Sequence, residues 1–146
     1  MALRTEWKAV ERFRNAAAMH RMAAETLLSA CRAQWESELA HESVYLCGYS
    51  VECILKARFL SAIRPKRHTR ALEVLKRKAG HSFKEIVVML SGLRKPVVPS
   101  ADILRSIRAV SLLWKTSMRY SALEMETKVA EEFLLISKEI AKWCES

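Results

Sequence analysis

Apolar residues recur along most of this chain at alternating spacings of three and four, and strict apolar–polar alternation is nowhere sustained. The first run, from about Glu6 to Trp35, puts Phe13, Ala17, His20, Ala24, Leu27 and Cys31 on one seam, as in an amphipathic helix. A second run, from about Ser37 to Ile63, is apolar nearly all round. On a helix turning 100° per residue, Tyr45, Gly48, Glu52, Leu55 and Phe59 share one stripe, with Cys47, Ser50, Ile54 and Ala57 behind them. Such a helix is the central element of a bundle. It stops before Pro65, because the residue preceding a proline resists the helical conformation.

Shorter pieces follow. A basic helix spans about Arg67 to Ala79 and ends at Gly80, a suitable C-cap. Ser82 with Glu85 forms a capping box that opens a helix reaching about Ser91. Gly92 to Pro99 is a loop, and a further helix from Ser100 presents Ile103, Ile107, Val110 and Trp114 on one face. Ser121 with Glu124 makes a second capping box, so the chain breaks at Arg119 and Tyr120. The last helix carries the seam Val129, Phe133, Ile136, Ile140 and Trp143. The pattern predicts an all-α protein: an antiparallel up-and-down four-helix bundle with short additional helices, one domain over residues 1–146.

Composition agrees, since only three glycines and three prolines punctuate the 146 residues. No apolar run approaches the length of a membrane span, and the charged N-terminal stretch MALRTEWKAVERFR lacks the apolar core of a secretory signal. A cytoplasmic protein without membrane contact is expected. The four cysteines form no CxxC pair. Cys31, Cys53 and Cys144 lie among helical apolar positions, which predicts reduced, buried thiols and no metal site.

Charge changes the picture more. The formal net charge is +9, and Arg64, Lys66, Arg67, Arg70, Lys76, Arg77 and Lys78 are opposed within their segment by Glu73 alone. A segment of that kind attracts phosphates. It is also what a solvated helix and turn with no partner would look like. The last helix is acidic by contrast, with Glu124, Glu126, Glu131, Glu132 and Glu139.

Within the second helix, Glu52 and Lys56 stand one turn apart in an otherwise apolar stretch. A buried carboxylate must be paired. The surrounding residues, Gly48-Tyr49-Ser50-Val51-Glu52-Cys53-Ile54-Leu55-Lys56-Ala57, resemble the GY-x-x-E-x-x-L-K-A core helix of HEPN (higher eukaryotes and prokaryotes nucleotide-binding) domains. His81-Ser82-Phe83 is similar to that family's H-x-L segment, and Trp114 to Tyr120, WKTSMRY, to its aromatic-x-x-x-x-RY segment before the last helix. The resemblance covers about Ser37 to the C-terminus. It implies a helical bundle, a homodimer, and a role as an RNase, an RNA- or nucleotide-binding relative, or the partner of a minimal nucleotidyltransferase in toxin–antitoxin or defence-type two-component systems. It also brings Arg119 and Tyr120 to a helix junction from which they could reach Glu52. Two readings of Glu52, Lys56, Arg119 and Tyr120 then stand side by side: a buried polar clamp, and a nucleotide pocket.

Catalytic members of that family carry an arginine and, after four to six intervening residues, a histidine, near the start of the last long helix. Here no histidine follows Arg119, so nothing there moves a proton near neutral pH. Arg14 to His20 matches the spacing but lies on the first helix, and six residues of helix turn His20 about 120° from Arg14. Arg64 to His68 and Arg77 to His81 fall one residue short, and His41 is expected to be a terminal or capping residue. No glycine-rich phosphate loop, HExxH or nucleophile elbow is present, and no cofactor is called for. The expected function is a non-catalytic module binding RNA, a nucleotide or a nucleotidyltransferase, with Arg64, Lys66, Arg67, Arg70, Arg77 and Lys78 as phosphate contacts. The alternative is a metal-independent endoribonuclease using Arg14 and His20.

Overall fold

A computed structural model describes residues 8–34, 37–114 and 126–146, the side chains of 31–34, 37 and 38 excepted. Among these residues there are six α-helices and no strand. They are α1 (Lys8–Gln34), α2 (Ser37–Ser61), α3 (His68–Val74), α4 (Phe83–Ser91), α5 (Ala101–Leu113) and α6 (Thr127–Glu145). The protein is an all-α helical bundle.

The centre is α2, as its all-round apolarity requires. Val44, Cys47, Val51, Leu55 and Leu60 are fully inaccessible, and α2 packs against α1, α6, α4 and α3. Its union with α1 is close because Ala17 and Ala24 occupy the contact. Their small side chains let two serines of α2 reach across: Ser43 Oγ donates to the Ala24 carbonyl at 2.8 Å and Ser50 Oγ to that of Ala17 at 2.7 Å. The contact recedes along α1 as it advances along α2, so the pair is antiparallel. Helix α6 runs parallel to α2, for Cys47 bonds the Ser137 side chain and, further along both helices, Cys144 lies within electrostatic reach of Arg58.

Some expected seams are displaced. On α1 the fully buried line is Val10, Ala17, Ala24 and Leu28, whereas Phe13, His20 and Leu27 are half-buried at its edge and the Cys31 side chain lies outside the described residues. On α6 the burial spreads to Ala130, Leu134, Ser137, Ala141 and Cys144 around Phe133 and Ile140. That helix meets α1, α2 and α5 together. It therefore buries a wider arc than its largest residues mark, including small residues where backbones approach.

The caps behave as their chemistry demands. Ser82 Oγ accepts from the Glu85 N–H and Ser100 Oγ from the Ile103 N–H, both at 3.3 Å. Gly80 takes φ +53°, a conformation that costs a side-chain-bearing residue strain. The basic helix is not continuous. Pro65–Arg67 forms a single 3₁₀ turn, α3 follows, and Leu75–Ala79 is a π turn closed by the Gly80 N–H on the Leu75 carbonyl at 3.0 Å. The Ser121–Glu124 capping box lies outside the described residues.

Candidate functional site

Glu52 is 4% exposed, midway along α2. Lys56, one turn on, donates to its Oε1 at 2.6 Å and is itself largely covered. The other partner is a residue that the sequence marked only as the start of a helix. His81 Nδ1 lies 3.0 Å from both carboxylate oxygens, so this nitrogen carries the proton that Glu52 accepts. The charge on the glutamate is met by an ammonium and by a ring N–H from the turn before α4. Arg119 and Tyr120, the expected partners, lie outside the described residues.

An aromatic cluster adjoins this group. The Tyr49 ring is stacked by His20 of α1 at 5.7 Å between centroids, and meets His81, Trp114 and Tyr45 edge-on at 6.2, 5.2 and 4.9 Å. Trp114, at the end of α5, stacks on Phe83 of α4 and donates its indole N–H to the Tyr45 carbonyl at 2.9 Å. That approach depends on Gly48. A β-carbon there would sit 1.9–2.2 Å from the indole, inside its ring atoms. Gly48, Tyr49, Glu52 and Lys56, His81 and Phe83, and Trp114 come from three separate stretches, and the fold gathers them into one cluster. It locks α2 to α4, to the end of α5 and to α1.

Arg14 and His20 are not brought together. Arg14 is exposed, whereas His20 is half-buried against Tyr49. Six residues apart on α1, they are separated by roughly 9 Å along the axis and 120° around it. His41 also departs from expectation. It is 5% exposed, on the second turn of α2, and its buried Nε2 has no hydrogen-bond partner among the described residues. Its position, one turn before Tyr45 on the same stripe, made it a core residue rather than a cap.

The basic arm is different in kind. His68, Ala71, Leu75 and Ala79 are buried and hold it to the bundle. Arg64, Lys66, Arg67, Arg70, Lys76, Arg77 and Lys78 are all exposed. Lys76, Arg77 and Lys78 point outward in succession between two buried anchors, Leu75 and Ala79, which lie four residues apart and share the face toward the bundle. His68 fixes the arm at its start. Its Nε2 faces the carbonyls of Leu60 and Ile63 at 2.9 Å each, so the N–H is shared between two acceptors at the end of α2, of which the Leu60 carbonyl also accepts from the Ile63 N–H at 3.0 Å.

The thiols carry no charge to spare for chemistry. Burial pushes Cys47 and Cys53 up to about 11 and Cys144 to about 12. All three are free; Cys53, expected to be buried, is partly exposed beside Phe13 in a groove between α1 and α2. Among the described residues no group of three or more His, Cys, Asp or Glu side chains could hold a metal ion, and no helix is long and apolar enough to cross a membrane. Comparison with protein-family models, with curated proteins and with solved structures finds no match to this chain.

Proposed function

We propose that this chain is a non-catalytic, HEPN-like module that binds RNA through the phosphate backbone, with the basic arm as its contact surface. The observation that carries the reading is the exposure of all seven cations between Arg64 and Lys78, opposed in that segment by one glutamate. The convergence of the three motif stretches on one cluster supports the resemblance. The resemblance in turn suggests a homodimer and a nucleotidyltransferase partner in a two-component system of the toxin–antitoxin or defence kind. Glu52 and Lys56 take the structural role in this reading, because both are spent on each other and on His81 within a packed interface.

The endoribonuclease alternative through Arg14 and His20 gains no support from the geometry. His20 packs on Tyr49, while Arg14 points elsewhere on the helix. The test is fluorescence anisotropy with a short single-stranded RNA. Several phosphate contacts release several counterions, so affinity should fall about tenfold or more between 50 and 200 mM salt. The triple reversal Arg67→Glu, Arg70→Glu, Arg77→Glu should abolish binding with the helical circular-dichroism signal intact. Unchanged affinity in that variant would exclude the arm, and RNA cleavage that disappears in His20→Ala would establish the enzyme instead.

A further inference from the structure

One end of the basic arm is a groove rather than a convex surface. It has a volume of about 320 Å³ and is lined by Ala62, Ile63, Arg64 and Arg67 on one side and by Leu93 and Arg94 on the other. That volume falls near the lower end of small-molecule sites, which span roughly 300–1,000 Å³. Arg94 comes from the loop between α4 and α5, thirty residues from Arg64, and only the fold joins them. Both walls are held. The first is pinned by His68 on the Leu60 and Ile63 carbonyls, by Pro65 at the start of the 3₁₀ turn, and by the Arg67 N–H on the Arg64 carbonyl at 2.8 Å. The second is closed by the Val97 N–H on the Leu90 carbonyl at 3.0 Å and anchored by buried Pro99.

The three arginines are exposed, and no carboxylate lines the groove among the described residues. None of the three takes part in an ion pair among those residues. Like charges gathered in one groove repel, and an anion between them would turn that repulsion into attraction. Guanidinium forks bind phosphate oxygens in pairs, and Ile63 and Leu93 supply an apolar wall beside them. The amount of charge distinguishes two ligands. An internal phosphodiester brings one negative charge to a point, whereas a phosphate monoester brings about 1.5 to 2 and offers three oxygens. Three arginines lining one groove match the second.

We propose that the Arg64–Arg67–Arg94 groove seats a terminal phosphate, a monoester or pyrophosphate group at the end of an RNA chain or on a free nucleotide. The assignment rests on the phosphate-binding reading of the arm and adds Arg94, which the arm does not contain. It gives the arm a polarity: the groove takes the end of the strand, and Arg70, Lys76, Arg77 and Lys78 follow the backbone away from it.

The experiment compares one oligoribonucleotide sequence in three forms, with a 5′-phosphate, with a 3′-phosphate, and with hydroxyls at both ends, at fixed ionic strength. Inorganic pyrophosphate and adenosine 5′-diphosphate serve as competitors. One phosphorylated form should bind on the order of tenfold tighter than the hydroxyl form, and pyrophosphate should compete. Arg94→Gln should erase that preference and keep the weaker affinity of the hydroxyl form. Arg77→Gln, outside the groove, should weaken all forms alike and keep the ratio. Competition by the diphosphate at lower concentration than by the phosphorylated oligonucleotide would identify a free nucleotide as the source, and the reverse order an RNA end. Equal binding of all three forms without pyrophosphate binding would overturn the groove and leave the backbone function standing. Binding of pyrophosphate alone, lost in Arg94→Gln, would keep the groove and overturn the backbone function. A preference that survives Arg94→Gln would overturn the groove, and failure of every ligand would overturn both.

Discussion

At the scale of single residues, Glu52 and Gly48 carry opposite kinds of constraint. Removing the carboxylate strands the Lys56 ammonium in a covered site. Glu52→Ala is therefore expected to cost about 3 kcal/mol or more in chemical denaturation, whereas the double change Glu52→Gln, Lys56→Met should recover at least about 1 kcal/mol of that loss. A double variant as unstable as Glu52→Ala would mean that His81, not the lysine, dominates the pairing. Gly48 has no room to give. Gly48→Ala must displace the indole of Trp114, an overpacking expected to cost about 1–3 kcal/mol and to shift the tryptophan fluorescence. The burial of Glu52 was legible because the helix around it is apolar on every side. Its pairing with His81 was not, since the histidine arrives from a turn twenty-nine residues away whose placement depends on the conformation of Gly80 and the docking of Phe83. The one available signal was that a buried glutamate needs a donor and that His81 directly follows a C-cap.

At the scale of elements, sequence period located helices and capping chemistry located their starts. Ser82 and Ser100 begin α4 and α5 at the expected residues. What period could not give was which small residues are buried, as the α1 and α6 seams show, nor that the basic helix would divide at Leu75. His68 sets the arm's position by satisfying two carbonyls at the end of α2. His68→Ala should cost about 1–3 kcal/mol by removing the donor that the Ile63 carbonyl and, beside the Ile63 N–H, the Leu60 carbonyl share. Because the groove loses its anchor, the same variant should also loosen phosphate binding, measurable in the anisotropy assay above.

The same packing governs the thiols. Cys47 on α2 and Cys144 on α6 have their ionisation raised by burial from 9.0 to about 11 and about 12. A thiol harder to ionise when folded favours the unfolded state once the unfolded thiol begins to lose its proton. Stability from these groups is therefore complete below pH 9 and is lost as pH rises from 9 toward 11–12, at about 1.4 kcal/mol per pH unit for each thiol. Cys53, partly exposed, contributes less. Denaturation curves between pH 8 and 10.5 should show the decline, and the double variant Cys47→Ala, Cys144→Ala should flatten it. An equally steep decline in that variant would assign the alkaline loss to other groups.

For the molecule as a whole, the homodimer that the resemblance implies needs an exposed apolar surface. The apolar residues of α2 are mostly covered within a single chain, by α1, α4 and α6. Exposed apolar side chains lie elsewhere. Met19 and Met22 on α1 are 70% and 65% exposed, and Leu135 on α6, 61% exposed, lines the groove between those helices. The Glu25–Lys138 ion pair of 2.8 Å bridges that groove. Its lining residues include none of the arm's cations, so two copies meeting there would bring together a mixed-charge face rather than the segments that give the chain its +9 charge. A stable pair should bury about 1,200 Å² or more in total, with each copy's Met22 and Leu135 inside the contact. Sedimentation at micromolar concentration should then give twice the 16.7 kDa mass of the chain. Met22→Asp with Leu135→Asp should return the single mass without loss of helicity, because both side chains are exposed in the lone chain and their replacement opens no cavity. A monomeric wild type would remove the dimer from the proposal, and a dimer indifferent to both changes would move its interface to another face.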